Sequence, residues 1–431
     1  MSKEENRKNF SKYVSQNILG MIGFSCYVLA DSYFISIAKG ADGLTALNLV
    51  MPLYSIIFSI GEMIGVGSAI RYAISKIKKD ADADDYFWNA IIWCIMSSMI
   101  FVFVGIFFSS DIMRVLGADE HIVAVGNNYT KIFMCFAPMF MCNYVTNAFV
   151  RNDGAPGIAM SATLFSSLFN IVFDYILMFP MNLGMEGAAL ATALSPIIGM
   201  GICSIHFFSK KSSVRLVVCK PSVRKLVAGS QLGVSAFVGE MSSAVITLAF
   251  NFVILKLTGN VGVAAYGVVA NIAIVTTAVF NGVAQGSQPL ISSCFGRGDK
   301  DGCTQLKRMG YTTAFVLAAV MYSILFIFAE QFVAVFNSEG SEMLRLYATE
   351  GVKLYFIGIF FAGINIVGGG AFSATEDAFK AAVVSVARGF VLILGAVFVM
   401  SALFGMTGVW LAYAVAEGIT TFIMLVMALR V

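Results

Sequence analysis

Five carboxylates stand inside long apolar runs of this chain: Asp31, Glu62, Asp174, Glu240 and Glu417, with Glu186 at the edge of a further run. A charge at the bilayer centre costs roughly 3 kcal/mol on insertion scales, so each is expected to face a cavity, an ion or a partner. Asp31, Asp174 and Thr192 each lie about six or seven residues from one end of their runs, roughly 10 Å below the same boundary at a helical rise. Asn170 precedes Asp174 by four positions, which places both on one helix face. Two carboxylates, an amide and a hydroxyl at one level form an all-oxygen set, suited to a hard cation such as sodium rather than to zinc or copper. Two carboxylates in low dielectric cannot both stay ionised cheaply, so the same set is equally suited to carrying a proton. The plainer alternative is that Asn170 and Asp174 only tie neighbouring helices together.

Glu62 and Glu240 lie nearer mid-membrane, where they would face a cationic substrate in a cavity or pack between helices. Glu417 follows Gly405-x-x-Gly408-Val409-Trp410-x-Ala412 and reads as structural; for the intramembrane carboxylates as a group, Arg388 and Lys353 are the candidate basic partners. The 23 Met and 38 Phe supply polarizable surface for a promiscuous pocket, although most must face lipid. No G-x-x-x-x-G-K-[ST] phosphate loop is present, so ATP is not expected to drive the protein directly. No H-E-x-x-H occurs, and Gly296-Arg297-Gly298-Asp299 sits in a charged loop, so no enzyme is expected. The eight cysteines lie in apolar helices or on the basic face, and with only His121 and His206 no zinc spacing exists.

The elements that carry these residues are membrane spans. Hydrophobic residues make up 58% of the chain and charged residues 12%, and the mean hydropathy is +0.84. An ordinary soluble domain is about 25% charged. Runs long enough to cross a bilayer lie near 13–37, 47–71, 86–109, 128–149, 157–180, 186–208, 231–256, 262–290, 309–329, 347–373, 380–402 and 408–428. The expected fold is an all-α integral membrane protein of twelve transmembrane helices. Gly40, Gly43, Ala46, Gly67 and Ser68 recur as Gly259, Gly262, Ala265, Gly286 and Ser287; Gly184, Met185 and Gly187 recur as Gly405, Met406 and Gly408. These are two parallel six-helix repeats, a construction found in secondary transporters. The lobes are expected at 1–208 and 231–431, joined by a basic linker at 209–230. Of the 28 Lys and Arg residues, 21 fall on the side of the termini and linker, Arg430 among them. Lys39, Arg114, Lys256 and Arg345 fall opposite, and Lys131, Lys353 and Arg388 fall within or at the edge of spans. The positive-inside rule then makes both termini cytoplasmic.

The chain resembles the multidrug and toxic compound extrusion family of cation-coupled antiporters over nearly its whole length. The resemblance rests on Ala30-Asp31-Ser32-Tyr33-Phe34-Ile35, Gly65-x-Gly67, Arg151-Asn152-Asp153-Gly154-Ala155-Pro156, Asn170-Ile171-Val172-Phe173-Asp174-Tyr175, Gly184 to Thr192, and Ala284-Gln285-Gly286-x-Gln288-Pro289. It implies two lobes in a V around a central cavity. It further implies export of an organic, usually cationic, compound in exchange for Na+ or H+, with no cofactor beyond that ion. The positions resembling the cation site are Asp31, Asn170, Asp174 and Thr192, with Asn147 as a neighbour; Glu62 and Glu240 would serve the substrate. The family's first-helix proline is Gln16 here, so a proline bend is not expected, and the C-lobe ion site of some branches looks absent. The implied setting is a monomer in the plasma membrane, with a small organic molecule and the bilayer as partners and no nucleic acid. The rival reading is a flippase for lipid-linked oligosaccharide or peptidoglycan precursors. A flippase needs a basic cavity, whereas the first-half spans carry acids and almost no bases.

Overall fold

Three glycines decide where consecutive spans part. In the computed structural model, which describes residues 3–215, 217–337 and 341–429, Lys3–Lys78 is one hydrogen-bonded helical run whose backbone breaks at Gly40 (φ 59°, ψ −142°). Val223–Gly296 breaks in the same way at Gly259 (φ 68°, ψ −156°), and the last long run breaks at Gly405 (φ 59°, ψ −135°). A β-carbon is strained in that left-handed region, so glycine makes the tight reversal possible. Dividing the runs there gives twelve spans. The first lobe holds α1 (Lys3–Gly40), α2 (Asp42–Lys78), α3 (Asp85–Val115), α4 (Glu120–Cys135 and Ala137–Asn152, bent by 46°), α5 (Pro156–Met178) and α6 (Gly184–Phe207). The second holds α7 (223–258), α8 (260–296), α9 (Lys300–Ile327), α10 (Glu342–Ala374), α11 (378–404) and α12 (406–429). The helix is continuous through Gln16, as the missing proline implies.

The repeat is written in the backbone as well as in the sequence. Left-handed residues recur in pairs: Gly40 with Gly259, Lys79 with Gly298, Gly154 with Glu376, and Gly184 with Gly405. The same turn thus recurs at the same place in both lobes, even where the residue type has changed.

The lobes meet at the end that carries the N-terminus and the linker, and diverge from it as a V. A β-carbon on Gly67 of α2 would come within 2.1 Å of the Gly229 carbonyl and 2.6 Å of the Gly233 nitrogen on α7. At the equivalent crossing, one on Gly282 would meet Ile18 Cα at 2.6 Å and one on Gly286 would meet Val14 Cα at 2.7 Å. Backbones approach this closely only where side chains are absent. The helix starts are exchanged: Phe10 and Val14 of α1 are buried in the C-lobe core, and Leu232 of α7 in the N-lobe core. Arg71 pairs with Glu376, Lys78 reaches the same carboxylate at 3.3 Å, and Asn6 donates to Gln305 at 3.2 Å.

The linker is shorter than the sequence implies. Its non-helical part ends at Ser222, whose hydroxyl caps α7 by accepting from the Lys225 amide, so 223–230 are already helical. Buried Asp153 at the α4–α5 turn clamps it: Tyr72, Ser212 and the Ser213 amide all donate to that carboxylate, and His206 pairs with it at 2.8 Å. Arg430 lies outside the described residues.

Candidate functional site

The α5–α6 pair assembles the N-lobe set. Asn170, Asp174 and Thr192 are all buried, and Asp31 of α1 is 6% exposed. With the Asn170 amide turned to satisfy its neighbours, its nitrogen donates to Asp174 Oδ2 at 3.1 Å. Its oxygen then accepts from the Thr192 amide at 3.3 Å and hydroxyl at 3.2 Å. Asp31 lies close enough to Asp174 for their charges to interact. Asp31 Oδ1 and Asp174 Oδ1 are buried without a hydrogen-bond donor among the described residues. An unpaired acceptor shielded from water is costly. A proton or a small cation taken up at these carboxylates would offset that cost, so the set fits either ion.

Asn147 does not join them. Its amide donates to the Ala159 carbonyl at 3.2 Å and to Thr163 Oγ1 at 3.1 Å. Thr163 lies two turns along α5 from Asn170, roughly 10 Å at a helical rise. The reason is depth: Asn147 occupies the linker-side half of α4, and the acids occupy the opposite half of their helices.

Asn147 belongs instead to a cleft walled by α1, α2 and α4–α8, which Glu62 and Glu240 also line. Its floor is a relay between the lobes. Arg151 is 5% exposed and donates to Gln285 Oε1 of α8 at 2.7 Å, and Gln285 Nε2 donates to Glu62 Oε1 at 3.3 Å. Sequence reasoning assigned Arg151 to the basic face and missed it as a lining group. The signal was present: Asn143, Asn147 and Arg151 are spaced by four, a polar stripe down one face of α4.

Arg388 and Glu417 pair with each other. Arg388 donates to Glu417 Oε1 from Nη2 at 2.7 Å and from Nε at 3.0 Å, and Asn365 donates to Glu417 Oε2 at 2.7 Å. Among the described residues Lys353 pairs with no acid; its ammonium lies over the Phe326 ring, 5.4 Å from the centroid. Glu186 accepts from Asn128 at 2.7 Å near the far surface.

A duplicated twelve-span bundle with a polar cleft between its lobes defines a membrane transporter. The MatE family model matches residues 17–176 and 236–399, one stretch in each lobe, and the chain belongs to that family. The multidrug export protein MepA of Staphylococcus aureus strain MRSA252 is 28% identical over 414 residues, 93% of this chain and 89% of the relative. MepA of Staphylococcus saprophyticus is 26% identical over 410 residues, with the same coverage. Among solved structures, one described as the outward-facing conformation of a multidrug resistance MATE family transporter of the MOP superfamily superposes with a TM-score of 0.92. It is 20% identical and covers 99% of this chain and 96% of its own. A MOP superfamily transporter from Pyrococcus furiosus, described as having a binding pocket of reversed polarity, superposes at 0.91 with 19% identity over 99% of this chain and 95% of its own. At these identities the structural likeness establishes the fold.

Proposed function

We propose that the chain is an electrochemically driven efflux antiporter of organic, chiefly cationic, compounds. The coupling ion, Na+ or H+, is held by Asp31, Asn170, Asp174 and Thr192; the substrate occupies the cleft lined by Glu62 and Glu240. The observation that carries this reading is the pair of donorless carboxylate oxygens, buried apart from an acid-lined cleft. Two relatives named as multidrug export proteins lend support. An ion entering the N-lobe neutralises Asp31 or Asp174 and favours an arrangement with lower affinity for the substrate, which leaves outward. One inward charge adds about 2.3 kcal/mol per 100 mV, close to a fiftyfold concentration ratio for a neutral substrate. A monovalent cation leaving in exchange cancels the electrical part and leaves the ion's chemical gradient.

The flippase reading is disfavoured by the cleft, where Arg151 is the one basic side chain among the described lining residues and is already engaged by Gln285. In this reading the linker face is cytoplasmic and the membrane is the plasma membrane. Dye efflux from proteoliposomes, with sodium and pH gradients imposed separately, tests the proposal. Transport should follow one gradient, and Asp174→Asn should abolish that dependence. Efflux indifferent to both gradients would overturn it.

A further inference from the structure

The repeat offsets set two regions of the molecule against each other. The offset of 222 that aligns Gly154 with Glu376 also places Asn365 on Asn143 and Arg388 on Ser166. The offset of 221 that aligns Gly184 with Gly405 places Glu417 on Pro196. In the N-lobe, Asn143, Ser166 and Pro196 line the open cleft, and Asn143 Oδ1 is buried without a partner. In the C-lobe the corresponding side chains bond to one another. The guanidinium of Arg388 lies against Glu417, Asn365 holds the second carboxylate oxygen, and Thr421 Oγ1 donates to Asn365 Oδ1 at 3.0 Å. Arg388 is carried on a π-helical turn, Ala387–Val391, and such turns often mark functional sites. Tyr413 of α12 and Tyr355 of α10 are the other titratable side chains interacting with the pair.

The same donor types occur in both lobes at different repeat positions: carboxylate, amide and hydroxyl at Asp31, Asp174, Asn170 and Thr192, and again at Glu417, Asn365 and Thr421. Their satisfaction does not match. The N-lobe set leaves two carboxylate oxygens bare; no side-chain polar atom of Glu417, Asn365, Thr421 or Arg388 is buried without a partner. We infer that Arg388 is a built-in cation, permanently seated in a carboxylate–amide–hydroxyl pocket of the C-lobe, and that the C-lobe therefore exchanges no ion. The transporter takes up one monovalent ion per cycle, at the N-lobe alone. Without the guanidinium, the pocket becomes an acid site that takes up a monovalent cation or a proton. The inference deepens the proposed function and rests on its N-lobe ion site.

The test measures equilibrium 22Na binding and proton uptake by purified full-length protein. One ion per molecule is expected for the wild type, and none for Asp31→Asn/Asp174→Asn. In that double-substituted background, Arg388→Met should restore one ion per molecule, Arg388→Lys should restore none because the charge is kept, and adding Glu417→Gln to Arg388→Met should remove it again. A folded Arg388→Met protein that takes up nothing, or an Arg388→Lys protein that takes up as much as Arg388→Met, would overturn the inference. The wild-type stoichiometry is decisive even if Arg388→Met does not fold, because two ions, one of them lost with Glu417→Gln, would also overturn it. Binding that survives the double substitution and is insensitive to Glu417→Gln would instead overturn the N-lobe ion site.

Discussion

The two lobes share a backbone and differ in what they do with buried charge. The left-handed turn positions are retained in pairs, whereas the polar contents have diverged. The N-lobe keeps two acids partly unsatisfied, apart from its cleft; the C-lobe closes its acid with an arginine and an asparagine that a threonine holds in turn. Turn geometry is hard to vary, because each reversal fixes where the next span begins. Side chains facing the lobe interior are freer, provided each charge acquires a partner or a purpose. An acid left without either is therefore the better guide to function.

That contrast can be broken by experiment. The largest effect should come from Asp31→Asn and Asp174→Asn, each expected to reduce gradient-driven efflux at least a hundredfold in proteoliposomes while substrate binding and folding persist. Well-folded variants with near-normal transport would remove the distinction between the lobes. Next is Glu417→Ala, which strands the Arg388 guanidinium in a low-dielectric interior and should cost about 3–5 kcal/mol in thermal or denaturant unfolding. Asp174→Asn should cost little by the same assay, since it deletes an acceptor that had no donor; equal losses at the two positions would contradict the comparison. Glu240→Gln should weaken cationic dye binding about tenfold, near 1.4 kcal/mol, and leave a neutral substrate almost unaffected. Fluorescence titration with a matched pair of dyes distinguishes this from a packing role, in which both would weaken together. The smallest effect is expected from Lys78→Ala. Its ion pair with Glu376 is partly exposed, so removing it should change stability by under about 1 kcal/mol. Arg71→Ala, which removes the more buried partner of the same carboxylate, should cost more in the same melting assay.

Much of this was legible in the sequence, for identifiable reasons. Hydropathy located the twelve spans because lipid demands unbroken apolar runs, and the recurring glycines gave the repeat because only they suit the reversals at 40 and 259. Asn170, Asp174 and Thr192 could be grouped because helical spacing and depth are both countable along a chain. Asn147 was misplaced with them, although its linker-side depth was countable too. Arg151 was obscured because a basic residue near the end of a span resembles a topology signal, and its i, i+4 relation to Asn147 was overlooked. Arg388 could be named as a candidate partner for the buried acids, but which acid it meets needed three dimensions: nothing local in the chain says that α11 and α12 bring it to Glu417. The linker's end was misjudged because Arg224 and Lys225 continue the basic run of the loop before them, and only the Ser222 cap marks the helix start.

The exchanged helix starts have a consequence for how the protein is made. Phe10 and Val14 emerge from the ribosome early, yet the core that covers them includes Val283 and Ala284 on α8. Leu232, which completes the first lobe, appears only after the whole of that lobe has been synthesised. Neither lobe can finish its interior alone, so maturation waits for the eighth span and the two halves are completed together. A chain ending after α6 would present the start of α1 without its cover, and the Gly67 notch without the α7 backbone that fills it. Because each lobe carries both the protruding start and the notch that accepts one, a single six-helix unit of this shape is complementary to a copy of itself about a two-fold axis. Duplication would have made permanent, within one chain, a pairing that two separate chains could already form.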